Sequence, residues 1–200
     1  MTGTEKPTIP IEARAKGRRT LLLLALVVIT PVIASYSAYY FFPREQRTNY
    51  GELLATPAPA LAGTRADGLP FALAQLKGKW VLAAGAPGAC DASCAGALHA
   101  TRQARTIQGR EMERVQRVWL VTDAQPLDTL VMREFDGTSM LRVNGDALKA
   151  WLPVEAGGKT SDHLYLIDPL GNLMMRFPKD ADPNKIKKDI AKLLKASAIG

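Results

Sequence analysis

The hydrophobic residues of this chain form one long uninterrupted run followed by several short ones. The long run, residues 20–42, holds 23 residues without a charge, mainly Leu, Val, Ile, Ala and aromatic residues. A helix rises about 1.5 Å per residue, so this length spans a hydrocarbon core of about 30 Å. A buried helix of a globular domain explains the run less well, because it is too long and too uniform. The pattern predicts a transmembrane helix over residues 20–42.

Basic residues precede this run. Residues 1–19 form a basic tail with four cationic residues between positions 14 and 19. Positive charge of this kind stays on the cytoplasmic side. The sequence therefore predicts a cytoplasmic N-terminus and a domain on the far side of a bacterial inner membrane, in the periplasm, or in the mitochondrial equivalent. A cleaved signal peptide is the alternative, with residues 21–33 as its apolar region, but no Ala-x-Ala site follows.

Short apolar runs separated by turn residues follow the predicted anchor. Three prolines mark residues 43–60 as a tether, which leaves residues 61–200 as a single domain large enough to bury one core. Four apolar runs predict strands at residues 79–84, 115–122, 163–167 and 173–177. Four further segments predict helices at residues 90–108, 127–135 and 146–152 and from Asp182 onward. Alternating strands and helices are typical of an α/β domain.

Charge narrows the class of partner without identifying one. The net charge is +7, and the first 43 residues hold five bases and two acids, so part of the basicity belongs to the membrane topology. The domain is mildly cationic, and it lacks the interleaved basic and aromatic residues of nucleic-acid binding. In the last predicted helix, five lysines lie on the side opposite an apolar stripe. Such a charged side is typical of a solvated helix face.

The two cysteines of the chain, Cys90 and Cys94, lie four residues apart. Two are too few for a disulfide scaffold, so they are more consistent with a site. Cys90 is predicted at a helix N-terminus, where a thiolate is stabilised, with Cys94 as the resolving or second-ligand thiol. Such a pair can exchange disulfides or bind Cu(I), and an added imidazole also suits Cu(II). A static structural disulfide is the alternative, although closing so short a loop would stabilise the fold little.

The chain contains two histidines. His99 lies five residues after Cys94, about 140° around a helix, so we expect a surface or packing residue. His163 precedes a predicted strand and is the candidate third ligand or redox neighbour, with a strand-edge histidine that binds no ligand as the alternative. Asp162 is expected either to orient His163 or to cap the turn. Asp91 is expected to be an acid of the first helical turn, and the alternatives are that it disfavours the Cys90 thiolate or takes part in proton transfer.

The order of elements resembles the thioredoxin superfamily, and more narrowly the Sco/SenC family of membrane-anchored copper and thiol proteins. Four segments carry the likeness: residues 76–82, the Cys90-x-x-x-Cys94 spacing, residues 121–130, and Asp162-His163 ahead of residues 165–171. The resemblance implies a thioredoxin-like domain, a central mixed sheet flanked by helices. It also implies a copper site formed by Cys90, Cys94 and His163, and it places His163 beside the cysteine loop.

Three functions follow from these observations. The leading one is a Sco-like factor for cytochrome c oxidase assembly that binds copper, reduces the cysteines of the copper site, or does both. Its catalytic residues are Cys90 and Cys94, and its partner is the copper-bearing oxidase subunit or another exported thiol protein. The alternatives are a general periplasmic thiol-disulfide oxidoreductase and a thioredoxin-fold binding module without redox chemistry.

Overall fold

The computed structural model describes residues 11–41, 49–57 and 59–199, which fall into two compact units divided between residues 47 and 48. The first unit contains helix α1 (Ile11–Phe41). Its segment Gly17–Ala38 is long and apolar enough to cross a membrane, which agrees with the predicted anchor. Residues 11–19 of the predicted basic tail belong to the same helix. Residues 1–10 of that tail, and Phe42 at the end of the predicted span, lie outside the described residues.

Eight strands in the described part of the chain form one mixed sheet. They are β1 (Glu52–Thr56), β2 (Ala62–Arg65), β3 (Pro70–Ala72), β4 (Trp80–Ala86), β5 (Val115–Val121), β6 (Ser139–Val143), β7 (Leu164–Ile167) and β8 (Leu173–Arg176). The spatial order is β1-β8-β7-β4-β5-β6-β2-β3. The pairs β4–β5 and β5–β6 are parallel, and the other neighbours are antiparallel. The predicted mixed sheet is confirmed.

Helices cover both faces of this sheet. They are α2 (Ala92–Thr106), α3 (Thr129–Glu134), α4 (Gly145–Trp151) and α5 (Pro183–Ala196). Side chains of β4 alternate between the two faces, as a buried strand requires. Trp80, Leu82 and Ala84 join the core under α2 and α5, whereas Val81 and Ala83 join the core under α4.

The predicted helices and strands of the domain are confirmed with shifts of a few residues at their ends, but four strands were not predicted. The predicted tether at residues 43–60 is wrong in extent, because Glu52–Thr56 is β1 and pairs antiparallel with β8. Leu54 packs against the core, whereas Leu53 is exposed. An edge strand with so few buried side chains leaves little hydrophobic signal in the sequence. Residues 43–48 and 58 of the predicted tether lie outside the described residues.

A buried carboxylate attaches the segment before β1 to helix α5. The Oδ2 atom of Asp189 accepts hydrogen bonds from the backbone N–H groups of Tyr50 (2.7 Å) and Gly51 (2.9 Å). Asp189 is 2% exposed, and its other oxygen pairs with Lys192 at 3.4 Å. The ring of Tyr50 lies 6.3 Å from that of Phe177. These contacts join the first strand of the sheet to the last helix, which are far apart in sequence.

We expect Asp189→Ala to lower the free energy of unfolding by about 2–4 kcal/mol, because two buried N–H groups lose a charged acceptor. The measurement is urea unfolding of the full chain in detergent micelles, followed by tryptophan fluorescence. Trp80, Trp119 and Trp151 are all buried in the second unit, so they report on that unit alone.

Asp146→Ala is the matched control for this variant. The Asp146 side chain is 95% exposed and pairs only distantly with Lys149. Its removal should change the free energy of unfolding by no more than about 0.5 kcal/mol. Equal losses in the two variants would contradict a structural role for Asp189.

Candidate redox site

The cysteines lie where the chain passes from β4 into α2. The loop after Ala86 leads through Cys90 to Asp91, which is the N-cap of α2. One carboxylate oxygen of Asp91 accepts a hydrogen bond from the backbone N–H of Cys94 at 2.9 Å. The helix therefore begins two residues later than predicted, and Asp91 is its cap rather than a first-turn acid. Aspartate suits this position because it satisfies an N–H group that the helix leaves unpaired.

Cys90 and Cys94 form a disulfide, with their Cα atoms 5.2 Å apart. The two residues differ in exposure: Cys94 is completely buried, whereas Cys90 is only partly buried. Cys94 packs in the core beneath α2 and Cys90 packs against its margin. A thiolate from outside can therefore approach the Cys90 sulfur more readily than the Cys94 sulfur. The roles of attacking thiol for Cys90 and resolving thiol for Cys94 require such an asymmetry, and they stay predictions.

Two opposing charges act on a Cys90 thiolate. The N-terminus of α2 carries a partial positive charge, which favours an anion nearby. The Asp91 carboxylate stands next to Cys90 and places a negative charge at the same end of the helix. It also occupies the N–H of Cys94, which is then not free to bind a sulfur. The helix terminus therefore stabilises the thiolate less than an uncharged cap would.

The loop that carries Cys90 is anchored to the neighbouring strand. The N–H of Gly88 donates to Oδ1 of Asp123, just beyond β5, at 2.9 Å. Arg142 of β6 holds that segment in turn, because its guanidinium donates to the carbonyls of Asp123 (3.1 Å) and Gln125 (3.0 Å). The supporting roles of Asp123 and Arg142 were not predicted from the sequence. The signal available in the sequence was Asp123, a polar residue just beyond β5. Its contact with Gly88 depends on the parallel register of β4 and β5.

His163 lies immediately before β7 and is 2% exposed. Its Nδ1 atom is 3.0 Å from the carbonyl oxygen of Phe177. A carbonyl only accepts, so Nδ1 carries the proton, and in the neutral ring Nε2 keeps a free lone pair. Histidines that bind metals are commonly oriented in this way. The ring is thus held in a form that can act as a ligand or proton acceptor.

A pocket of about 280 Å³ separates His163 from the face of α2 beside it. Its walls include Ser93 and Gly96 of that helix, and both His99 and His163, but neither cysteine. Residues 93 and 97 turn toward the pocket, whereas Cys94 turns into the core. The structure therefore brings His163 to the first turns of α2, but on a different side from the Cys94 side chain.

The proposed copper ligands are not assembled in this disulfide form. Within the described residues, no group of three or more His, Cys, Asp or Glu side chains is placed to hold a metal ion. The sulfurs also fit copper only as thiolates, which requires that the disulfide first be reduced. The ligand set of Cys90, Cys94 and His163 stays a prediction for the reduced protein.

His99 and Asp162, the other two candidate residues near the site, have structural roles. His99 is exposed and packs edge-on against Phe135, with ring centroids 6.5 Å apart, which confirms the expected surface or packing role. Asp162 accepts a hydrogen bond from the backbone N–H of Lys159 at 3.0 Å. That bond, with a smaller effect from Lys179, holds the pKa of the Asp162 carboxyl below its ordinary value. Asp162 caps the turn, as one of the two expectations proposed.

These features define the class: a thioredoxin-like domain with a dithiol–disulfide pair between its central strand and the following helix. The family model described as "Transmembrane-like, thioredoxin-like, C-terminal domain" matches residues 80–197, and the chain belongs to this family. No curated protein sequence matches the chain.

Solved structures agree with this fold at low sequence identity. Yeast Sco1 with copper bound is 16% identical, with a TM-score of 0.59 over 72% of this chain and 96% of that one. BsSco, a member of the Sco family of cytochrome c oxidase assembly proteins with an identified disulfide switch, is 15% identical (TM-score 0.53, 74% and 96% covered). The thioredoxin domain of a Bacteroides vulgatus thiol-disulfide oxidoreductase is 20% identical (TM-score 0.50, 72% and 99% covered). The predicted likeness to Sco proteins is confirmed as a likeness of fold.

We expect Gly88→Ala to destabilise the cysteine loop. A Cβ atom at this position would lie 2.7 Å from the carbonyl oxygen of Gln125, so backbone must move. The expected loss in the free energy of unfolding is about 1–3 kcal/mol, measured by urea unfolding of the full chain with tryptophan fluorescence.

Gly96→Ala in α2 provides the opposite control. A Cβ atom there meets nothing within 4 Å, and alanine is the better helix former. This variant should gain about 0.5–1 kcal/mol. If Gly88→Ala proved as stable as Gly96→Ala, the close approach of Gly88 to residue 125 would not be a constraint on the loop.

Proposed function

We propose that this chain is a membrane-anchored, Sco-like thiol-disulfide protein that serves cytochrome c oxidase assembly by reducing cysteines of the oxidase copper site. The observation that carries the proposal is the disulfide between a partly exposed Cys90 and a completely buried Cys94. One sulfur is accessible to a partner, and the other is held within reach of the first. A purely structural disulfide would stabilise little across so short a loop.

The reaction begins with the reduced form of the pair. The Cys90 thiolate attacks one sulfur of a partner disulfide, which forms a mixed disulfide and releases a partner thiolate that takes up a proton. The Cys94 thiol loses its proton and attacks the Cys90 sulfur. This step releases the second partner thiolate and closes the Cys90–Cys94 disulfide. The partner gains two electrons, and an exported dithiol donor must restore them to this chain.

The location proposed is the outer side of a bacterial inner membrane. Helix α1 supports a single-pass anchor by its length and composition. The basic residues in the first turns of this helix, ahead of its apolar segment, favour a cytoplasmic N-terminus and a periplasmic domain. A disulfide also suits that compartment, because the cytosol keeps most thiols reduced. The membership of BsSco in a family of cytochrome c oxidase assembly proteins supports the choice of partner.

Cys94→Ser should trap the mixed disulfide, because the resolving thiol is absent, whereas Cys90→Ser should not, because Cys94 is buried. We expect at least about tenfold more trapped complex with Cys94→Ser. Each full-length variant, in detergent micelles, is mixed with the oxidised copper-site domain of the oxidase subunit. The products are quantified on non-reducing gels and identified by mass spectrometry.

An oxidised apocytochrome provides the competing substrate in the same assay. Preference for the oxidase domain supports the proposal. Equal capture of the two substrates would instead identify a general thiol-disulfide oxidoreductase, the alternative favoured by the likeness to the Bacteroides vulgatus domain. Capture of neither would leave a binding module without redox chemistry.

Copper as cargo is a second candidate activity at the same site. It is favoured by the orientation of His163, whose bond to Phe177 leaves Nε2 free. Two thiolates and one imidazole form a donor set that accepts both Cu(I) and Cu(II). The cysteines fit this role once reduced. His163 fits it if the first turn of α2 and the Cys90 loop rearrange on reduction, since the pocket between them is not lined by the sulfurs.

We expect the reduced full-length protein to bind one Cu(I), and the disulfide form to bind none at this site. Cys90→Ser should abolish binding, and His163→Ala should weaken it at least about tenfold. Competition with a chromophoric Cu(I) chelator measures the affinity. His99→Ala is the matched control, because His99 lines the same pocket and is predicted not to be a ligand. Identical affinities for His163→Ala and His99→Ala would remove His163 from the ligand set.

A further inference from the structure

Helix α5 presents a continuous stripe of lysines. Its four members follow one another at spacings of three or four residues, so they lie on one side of the helix: Lys185, Lys188, Lys192 and Lys195. All four are exposed. The opposite side of the helix carries Ile186, Ile190 and Leu194, which are buried in the core. We call these four residues the lysine stripe.

Within helix α5 the lysines of the stripe outnumber the acids. The only acid within α5 is Asp189, which is buried and bound to Tyr50, Gly51 and Lys192. Asp182, at the N-cap, is engaged with the backbone N–H of Asn184. The four lysines, one of them paired with Asp189, therefore give this side of α5 a net positive charge.

Helix α5 also binds the residues at which the chain enters the domain. Residues 42–51 join α1 to β1 in the sequence, and Asp189 binds the last two of these residues. The Nζ atom of Lys185 lies 5.1 Å from the centroid of the Tyr50 ring. The Lys185 end of the stripe is thus next to residues 50 and 51, where the chain that follows α1 in the sequence enters the domain. Tethering raises the effective concentration of the membrane surface for every site on the domain.

We propose that the lysine stripe of α5 binds the anionic phospholipid headgroups of the membrane that anchors the chain. Clusters of lysines beside a membrane helix bind anionic lipid through additive charge attraction. Four flexible ammonium groups on an open helix face suit a diffuse array of phosphates. A specific carboxylate or phosphate would favour the planar fork of arginine, which α5 lacks. The proposal does not depend on the redox or copper function.

Lysine acetylation of the full chain in lipid nanodiscs tests this binding. One set of discs contains phosphatidylcholine alone, and the other contains phosphatidylcholine mixed with anionic phosphatidylglycerol. Peptide mass spectrometry measures the modification rate at each lysine after a pulse of a water-soluble acylating reagent. Lys188 and Lys195 should react at least about fivefold more slowly in the anionic discs. Lys77 and Lys149, which are exposed elsewhere on the domain, should react equally in both.

Salt and charge reversal complete the test. The protection should disappear near 1 M salt, where the screening length is about 3 Å. The double variant Lys188→Glu, Lys195→Glu should remove the protection of Lys185, whereas Lys77→Glu, Lys149→Glu, with the same change in net charge, should retain it. Modification rates of Lys188 and Lys195 that are equal in the two kinds of disc would overturn the proposal. Protection that survives high salt would overturn it as well.

Discussion

The parallel pairing of β4 with β5 is the constraint on which the rest of the domain depends. All seven residues of each strand are matched, from Trp80 opposite Val115 to Ala86 opposite Val121. Parallel neighbours cannot be joined by a tight turn, so the chain must cross over one face of the sheet, and α2 makes that crossing. The cysteines are carried on the way into this helix, at the carboxyl end of β4. The same pairing brings Asp123 beside Gly88 and so fixes the loop before Cys90.

This position accounts for the unequal exposure of the two cysteines. The first turn of α2 lies directly over the sheet, and its inward side packs on apolar side chains of β4 and β5. Cys94 is on that side and is sealed from solvent, whereas Cys90 precedes the helix at the rim of the core. Because one helical turn separates the two, a single disulfide can have one accessible and one protected sulfur. The helix terminus that favours a thiolate also holds the Asp91 carboxylate, which opposes it.

The edge of the sheet is organised by a different kind of interaction. The carboxylate of Asp189 is buried, yet it is fully satisfied by two backbone N–H groups and one lysine. A buried charge is tolerated only when its hydrogen bonds are made in this way. It fixes the start of β1 to α5 and thereby joins the tethered end of the domain to its most basic helix. The attachment of β1 and the positive charge of the lysines therefore belong to the same helix, α5.

The sequence by itself determined the long apolar N-terminal helix, the four strands with strong apolar runs, the principal helices and the two cysteines as the candidate site. These features are local, since each depends on composition or on a hydrophobic period within one segment. Only the tertiary structure decided that residues 52–56 form a strand, that Asp189 is buried, and that Asp123 and Arg142 support the cysteine loop. It also decided that His163 faces a side of α2 different from the one that holds Cys94. Each of these depends on which distant segments become neighbours, and that is settled by the register of the sheet and the packing of helices upon it.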